Sequence, residues 1–450
     1  MILSDGGFIK ICDNLIQSGY VAYAVGGCVR DLLLGKSIND IDICTSALPE
    51  QTAEVFKNDY KVIYTGLKHG TVTVIVDGKP YEITTFRKDG NYLDNRHPES
   101  VEFVRDLKED LARRDFTINA VAISGKGELF DYFGGQTDIK NKIIRCVGDA
   151  DKRFQEDALR ILRALRFASV LGFKIEENTK RAIIDNKRLL KNISAERVYA
   201  ELTKLLLGDN VESVMNEFAE VIFEIIPELR PCYKFDQKSK YHCYDVYRHL
   251  INSVAQSKKN VVVRYTMLLH DIGKPQCFVM DENGVGHFYN HPVESVKIAK
   301  NVLWRLKVDK RTFATVLTLI EYHDSLMRLT HSGIKKWLRI LGTENFRLLL
   351  EVQRADAKAH ADWVIESRLK QIDDANAIFN QILESHECYS FKALAVNGYD
   401  LTTAGYKGVE VGIMLENLLD KVISGELKND KKVLLDYVQK EYKQQTEKNN

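Results

Sequence analysis

Two aspartates, Asp40 and Asp42, follow a glycine pair, Gly26-Gly27, and the segment Val29-Arg30-Asp31. Residues i and i+2 of a strand point to one face, so both carboxylates can grip one or two hard divalent cations. Cations of that kind bind and polarise nucleotide phosphates. The glycines supply a second requirement. They let the backbone come close to a phosphate, and Arg30 complements its charge. An Asp-x-Asp pair by itself is commonplace in solvated turns. Behind a strand, a Gly-Gly turn and an arginine, it is a specific signal.

These groups need a sheet to hold them. Residues 21–25 read as a buried strand, and Asp40-Ile41-Asp42 reads as the start of a second. Residues 71–76 and 81–86 alternate as strands do, with Asp77-Gly78-Lys79-Pro80 as the hairpin turn between them. From about residue 146 the pattern is helical almost to the end. Arg230-Pro231 looks like a boundary between helical units, and residues 278–289 look like a loop or small hairpin.

Composition narrows the class. Lys and Arg total 64 against 63 Asp and Glu, a net charge of +1 over 450 residues, which excludes a uniformly basic nucleic-acid binder but allows local basic stripes. The length suits two to four domains. No apolar run is long enough for a membrane span, and the first residues lack the pattern of a signal peptide. The eight cysteines are scattered without a Cys-x-x-Cys pair, which fits reduced thiols of a cytosolic protein.

Three further segments support the aspartate pair. Residues 85–98, including Tyr92, Asp94, Arg96 and Pro98, are polar and mixed in charge, and read as a mobile loop. Residues 110–120 carry Arg113 and Arg114, suited to a triphosphate or a base. Residues 156–166 read as an amphipathic helix in which Asp157, Arg160, Arg163 and Arg166 recur every third position. Cytosine and adenine both present an exocyclic amine beside an unprotonated ring nitrogen. Asp157 can accept from the amine while Arg160 donates to the ring nitrogen. Uracil and guanine present a carbonyl beside a ring N–H and would meet both groups wrongly, which discriminates strongly. Arg163 and Arg166 then suit phosphate or the end of an RNA.

These segments resemble those of class II tRNA nucleotidyltransferases, the CCA-adding enzymes, in the superfamily that includes poly(A) polymerases. The likeness covers residues 26–45, 85–98, 110–120 and 156–167, with family-like elements at 193–198, 394–400 and 405–408. It implies an α+β fold: a mixed-sheet nucleotidyltransferase palm at 1–145, a neck with base-recognition and RNA-binding helices at 146–225, an all-α body at 226–375 and a helical tRNA-binding tail at 376–450. It further implies Mg²⁺ on Asp40 and Asp42, nucleotide contacts from Gly27, Arg30 and Arg114, and an amino-acid template of Asp157 with Arg160. The implied reaction adds C, C and A to the 3′ end of tRNA from CTP and ATP. The nearest rivals are a poly(A) polymerase and a partial CC- or A-adding enzyme. The full-length 85–98 loop speaks against a CC-only enzyme. Rivals from other classes are a phosphohydrolase with a non-catalytic RNA-binding head and a tRNA chaperone.

A second constellation lies at 242–360. His270-Asp271 ends a helical stretch, with His249 upstream and His287, His291, His323 and Asp356 downstream. Such a mixture of imidazole and carboxylate suits Mn²⁺, Mg²⁺, Fe or Ni²⁺. The order His…His-Asp…Asp resembles the HD phosphohydrolase superfamily, which places an HD domain in the body. Carried over, the ligands are His249, His270, Asp271 and Asp356, with His291 and His323 for a second metal. Nothing in the spacing singles out His242 or His360.

Overall fold

The computed structural model describes residues 3–38, 40–66, 70–90 and 101–448. The chain divides into two units, Met1–Arg230 with Arg305–Val308 and Pro231–Trp304 with Asp309–Asn450.

The first unit is built on a sheet whose strands are β1 Ala22–Val25, β2 Asp42–Thr45, β3 Lys61–Gly66, β4 Thr71–Val76, β5 Lys79–Thr85, β8 Val121–Ser124 and β9 Leu129–Asp131. Between β5 and β8, a separate ribbon joins β6 Arg87–Asp89 to β7 Val101–Phe103. The sheet order is β3-β4-β5-β2-β1-β8-β9. β2 and β5 run parallel and the other neighbours antiparallel, so the sheet is mixed, as expected. Alternation decides which side chain faces which layer. Ala24 and Ile43 pack with Phe8, Ile11 and Leu15 of α1 (Gly6–Gln17), Val29 of α2 (Gly27–Leu33) and Phe56 of α3 (Pro49–Phe56). Val25 and Cys44 pack on the other side with Phe86 and with Leu107 and Leu111 of α4 (Leu107–Ala112). In the β1–β2 register Val25 lies opposite Asp42. The glycine turn that follows Val25 therefore opens beside the second aspartate.

Three local readings change. The β4–β5 turn is shorter than four residues: Asp77 and Gly78 both have positive φ, Val76 pairs with Lys79, and Pro80 sits in β5 opposite Ile75. A two-residue turn of that hand matches the twist of the strands it joins. Arg87 to Asp89 are ladder residues rather than loop, while Tyr92, Asp94, Arg96 and Pro98 lie outside the described residues. The stretch 156–166 is not one helix. α6 (Ala150–Glu156) ends at Asp157, which has extended φ/ψ of −137° and 101°, and α7 runs Leu159–Leu171. The Asp157 carboxylate accepts from the Leu159 amide at 3.1 Å, so the side chain competes with the backbone for that donor and breaks the helix. α5 (Gly135–Asn141) precedes these helices, and α8 Glu177–Asn186, α9 Ala195–Leu206, α10 Val211–Glu217 and α11 Ala219–Ile225 complete the unit, with α7 packed along α9.

The second unit is helical. α12 Val246–Gln256 and α13 Val261–Leu269 pack together and against α16 His331–Lys358, with α15 Lys310–Tyr322 alongside. α14 spans His291–Arg305, and α17, Asp362–Glu384, lies along α16. Residues 278–289 do form a hairpin, of strands Phe278–Met280 and Gly286–Phe288. The terminal helices α18 Gly398–Thr403, α19 Val409–Ser424 and α20 Lys431–Lys448 close around Leu401, Tyr406, Leu418, Leu419, Leu434 and Val438. Among the described residues, no helix is long and apolar enough to cross a membrane.

Candidate active site

A cavity of about 560 Å³ opens at the glycine turn of the first unit. Gly26, Gly27, Arg30, Asp42, Arg114, Arg163 and Arg166 all line it. Gly26 has φ +80°, a conformation that L side chains rarely adopt. A Cβ there would meet the Arg114 Nη1 at 3.3 Å and the Asp42 Oδ2 at 3.7 Å. The backbone conformation is what calls for glycine, and a side chain there would also crowd Arg114. Asp42 is the first residue of β2, and Asp40, exposed, stands just before the strand. Desolvation in the cleft pushes the Asp42 carboxyl up, Arg114 opposes this, and the charge of Asp40 adds to it. A cation shared by the two carboxylates would relieve the repulsion that Asp40 exerts on Asp42.

Buried carboxylates hold the arginines. Asp110, fully buried, accepts from Arg113 at 2.8 Å and Arg114 at 3.2 Å; burial opposes its ionisation, but these arginines hold its carboxyl below the usual range. The Arg114 Nε is buried with no partner among the described residues. Arg30 donates to Asp31 and, at 2.9 Å, to the Asn119 side-chain oxygen. The Asn119 amide donates in turn to Asp115 at 3.0 Å, and Asp115 takes Arg163 at 2.6 Å. Against the effect of burial, Arg163 and the hydrogen bonds from Asn119 and Phe116 push the Asp115 carboxyl down to about 2. Arg166 pairs with Glu201 of α9 at 3.2 Å; burial lowers its pKa to about 10 although Glu201 opposes this.

Phe167 links three of these cations. Arg30, Arg163 and Arg166 lie 5.1, 5.5 and 4.0 Å from its ring centroid, and its edge-to-face partner is Phe116. A π face tolerates cations that would otherwise repel one another. Asp115, Asn119 and Phe167 were not singled out by spacing, because an Asp beside two Arg, or a Phe in a helix, reads as ordinary structure.

Asp157 and Arg160 do not line this cavity. Asp157 pairs with Arg197 at 3.0 Å. Arg160 is buried and donates to Glu156 at 2.8 Å and to the carbonyls of Arg153 and Arg113. Of the three-residue series, the structure brings Arg163 and Arg166 to the cleft and leaves the other two engaged beside it.

In the second unit, all four HD-type residues converge. The His249 Nε2 lies 3.0 Å from the Asp356 Oδ1 and 3.3 Å from the Asp271 Oδ2, and the His270 Nε2 lies 3.3 and 3.4 Å from Asp271 and Asp356. His291 and His323 approach the other Asp271 oxygen at 3.1 and 3.4 Å. In each of the four histidines Nδ1 faces a backbone carbonyl: Ala359, Met267, Phe288 and Ile320, at 2.7–3.2 Å. A carbonyl only accepts, so each Nδ1 carries the proton and each Nε2 directs a lone pair inward. Acceptors then face acceptors unless a proton or a cation lies between them. Burial lowers and Asp271 with Asp356 raise the His270 pKa, with a net value of about 10 in the metal-free protein. His360 joins the group at 3.7 Å from Asp356, and the His242 ring lies 4.6 Å from that of His360.

Comparison with known proteins supplies the family. A family model described as "Poly A polymerase head domain" matches residues 22–145, one described as "Probable RNA and SrmB- binding site of polymerase A" matches 172–231, and one for domain 2 of tRNA nucleotidyltransferases matches 293–438. The CCA-adding enzyme of Ligilactobacillus salivarius is 35% identical over 96% of this chain and 95% of its own length. Against the CCA-adding enzyme of Geobacillus kaustophilus the match is 52% identical but covers 49% of this chain and 54% of that protein, so the chain spans about half the length of such relatives. The crystal structure of the Bacillus stearothermophilus CCA-adding enzyme in complex with CTP is 31% identical and superposes over all of both chains with a TM-score of 0.74. From its match to the Ligilactobacillus enzyme along nearly the full length of both proteins, this chain belongs to the family of CCA-adding enzymes.

Proposed function

We propose that the chain adds C, C and A to the 3′ end of tRNA without a nucleic-acid template, from CTP and ATP and with release of pyrophosphate, in the cytosol. The observation that carries this reading is the meeting of Asp42 and Arg114 at the glycine turn, in a cleft that also holds Arg30, Arg163 and Arg166. The donor set fits a hard divalent cation, Mg²⁺, on Asp40 and Asp42. Such an ion would neutralise charge at the α-phosphate and favour the alkoxide form of the terminal hydroxyl. Arg30 and Arg114 would take the triphosphate, Gly26 and Gly27 would admit it, and Arg163 and Arg166 would take phosphate or the RNA end. Asp157 and Arg160 would read the base by exchanging Arg197 and Glu156, their present partners, for the amine and ring nitrogen of cytosine or adenine. The test is addition of each nucleotide, supplied singly and together, to tRNA lacking CCA, with the products sequenced. Full CCA supports the reading. Runs of A, or arrest after CC, would replace it with the poly(A) or partial-adding alternative.

A second reading concerns the His/Asp cluster. The inward Nε2 atoms fit a transition metal, Mn²⁺, Ni²⁺ or Fe, on His249, His270, Asp271 and Asp356, and a second on Asp271, His291 and His323. Bound there, metal would support hydrolysis of phosphate esters.

Four outcomes are expected. Asp40→Ala and Asp42→Ala should each abolish nucleotide addition while tRNA binding persists; near-wild-type turnover in Mg²⁺ would remove the metal assignment. Asp157→Ala or Arg160→Ala should slow CTP and ATP and admit UTP or GTP, losing about 1–3 kcal/mol of discrimination. Equal slowing of all four nucleotides would refute the template. Phe167→Leu should raise KM for CTP about tenfold, or about 1.4 kcal/mol, with Phe167→Trp close to wild type, because the ring face rather than its bulk holds the arginines apart. If both variants behave alike, the ring is merely filler. His270→Ala with Asp271→Ala should strip bound metal and any hydrolysis of 2′,3′-cyclic nucleotides yet leave CCA addition in place. Metal uptake displaces the His270 proton, so retention should weaken as pH falls. Unchanged metal content in the double variant would make the histidines structural.

A further inference from the structure

The His/Asp cluster of the second unit stands between two cavities of different character. One, of about 260 Å³, is lined by ionisable and tyrosine side chains, Lys274, Tyr241 and Tyr289 among them. The other, of about 320 Å³, has a wall of Leu326, Met327, Leu329, Ile372 and Ala375. His323, Asp324, Asp356 and Arg368 line both. Two cations accompany the cluster, and they are committed differently. Lys274 is buried and donates to Asp271 at 2.6 Å and to Gln237 at 2.9 Å. Arg368, from α17, is half exposed and touches Asp356 through one long contact of 3.4 Å. A guanidinium has five N–H donors in a planar fork that matches two phosphate oxygens. Among the described residues, one long contact leaves most of that capacity unused, at the junction of the two cavities.

We infer that the cluster takes a small phosphate ester of an apolar or aromatic alcohol, with Arg368 holding the phosphate and the 320 Å³ cavity holding the alcohol part. This rests on the metal reading given above. The physical argument has two parts. A phosphate seated against the cluster would call for a cation beyond Lys274, whose charge is already paired with Asp271 and whose hydrogen bonds go to Asp271 and Gln237. Arg368 is the cation able to turn from Asp356 to the phosphate once a metal neutralises that carboxylate. The apolar wall then favours an ester group that buries carbon rather than one that keeps hydroxyls wet. The cavity is at the lower end of the size range of small-molecule pockets, enough for an aromatic ring with substituents but not for a folded RNA. In the reaction a water oxygen bonds to phosphorus and the P–O bond to the alcohol breaks. The leaving oxygen takes up a proton as the attacking water loses one, giving inorganic phosphate and the free alcohol.

The test uses the full-length chain loaded with Mn²⁺, with metal content measured first. Phenyl phosphate and glycerol 2-phosphate are compared as substrates, and inorganic phosphate binding is followed by calorimetry. Phenyl phosphate should be preferred by about tenfold in kcat/KM, the scale on which a small apolar group is discriminated. Met327→Asp, which puts a charge in the apolar wall, should erase that preference. Arg368→Gln should weaken phosphate binding about tenfold with metal content unchanged, and Arg368→Lys should restore it in part. Nucleotide addition by the same preparations should equal wild type and certifies folding. If metal is bound but both esters react equally, or neither reacts, or Arg368→Gln binds phosphate as wild type does, this inference is overturned and the metal site stands. A chain that takes up no metal overturns both.

Discussion

Everything in the first unit depends on holding several guanidinium groups at close quarters beside Asp42. Arginines packed that closely repel one another, and removing them from water costs more than mutual contact returns. The protein meets this with carboxylates that are themselves buried and face the arginines from behind. Asp110 takes Arg113 and Arg114, Asp115 takes Arg163, and Glu201 takes Arg166. Arg114, Arg163 and Arg166 still line the cleft, and Phe167 offers its ring to Arg30, Arg163 and Arg166 as well. The result is a pocket of arginines already held in place by the protein, so an anion entering it would spend little binding energy on ordering them.

The sheet contributes geometry rather than charge. Because Val25 lies opposite Asp42, the turn with its left-handed Gly26 cannot open anywhere but at the aspartate. The second unit solves the reverse electrostatic problem. There the crowded groups are acceptors, and backbone carbonyls act from outside by fixing each imidazole with its proton turned away from the centre. One cluster gathers cationic groups and the other gathers acceptors, and in both a shell of second partners orients them.

Much of this was legible in the residues. The β1 strand, the Gly-Gly turn and Asp42 have short-range signatures and occur where the chain was expected to place them, whereas Asp40, expected inside the second strand, stands before it because β2 begins only at Asp42. The hairpin at 278–289 and the helical character beyond residue 146 also occur where expected. The three-residue series from Asp157 to Arg166 was misleading. A period of three assumes an unbroken helix, and the Asp157 side chain breaks it by capping the amide of Leu159. Phe167 and Asn119 carried no signal because both owe their place to a distant partner, Arg30, which contacts the Phe167 ring and the Asn119 side chain from far back in the chain.

The sequence by itself determined the chemistry that is local: which carboxylates can share a cation, where the backbone can approach a phosphate, and which histidines and aspartates could be ligands. It also carried the family likeness. Tertiary structure decided which of those groups meet. It put Arg163 and Arg166 in the cleft and turned Arg160 toward Glu156 and two carbonyls, although all three lie on one helix. It also brought His360 to a cluster in which spacing gave it no place. The reason is that a side chain's partner is set by whatever packs against its face. Short-range patterns fix the face, but long-range packing supplies the partner.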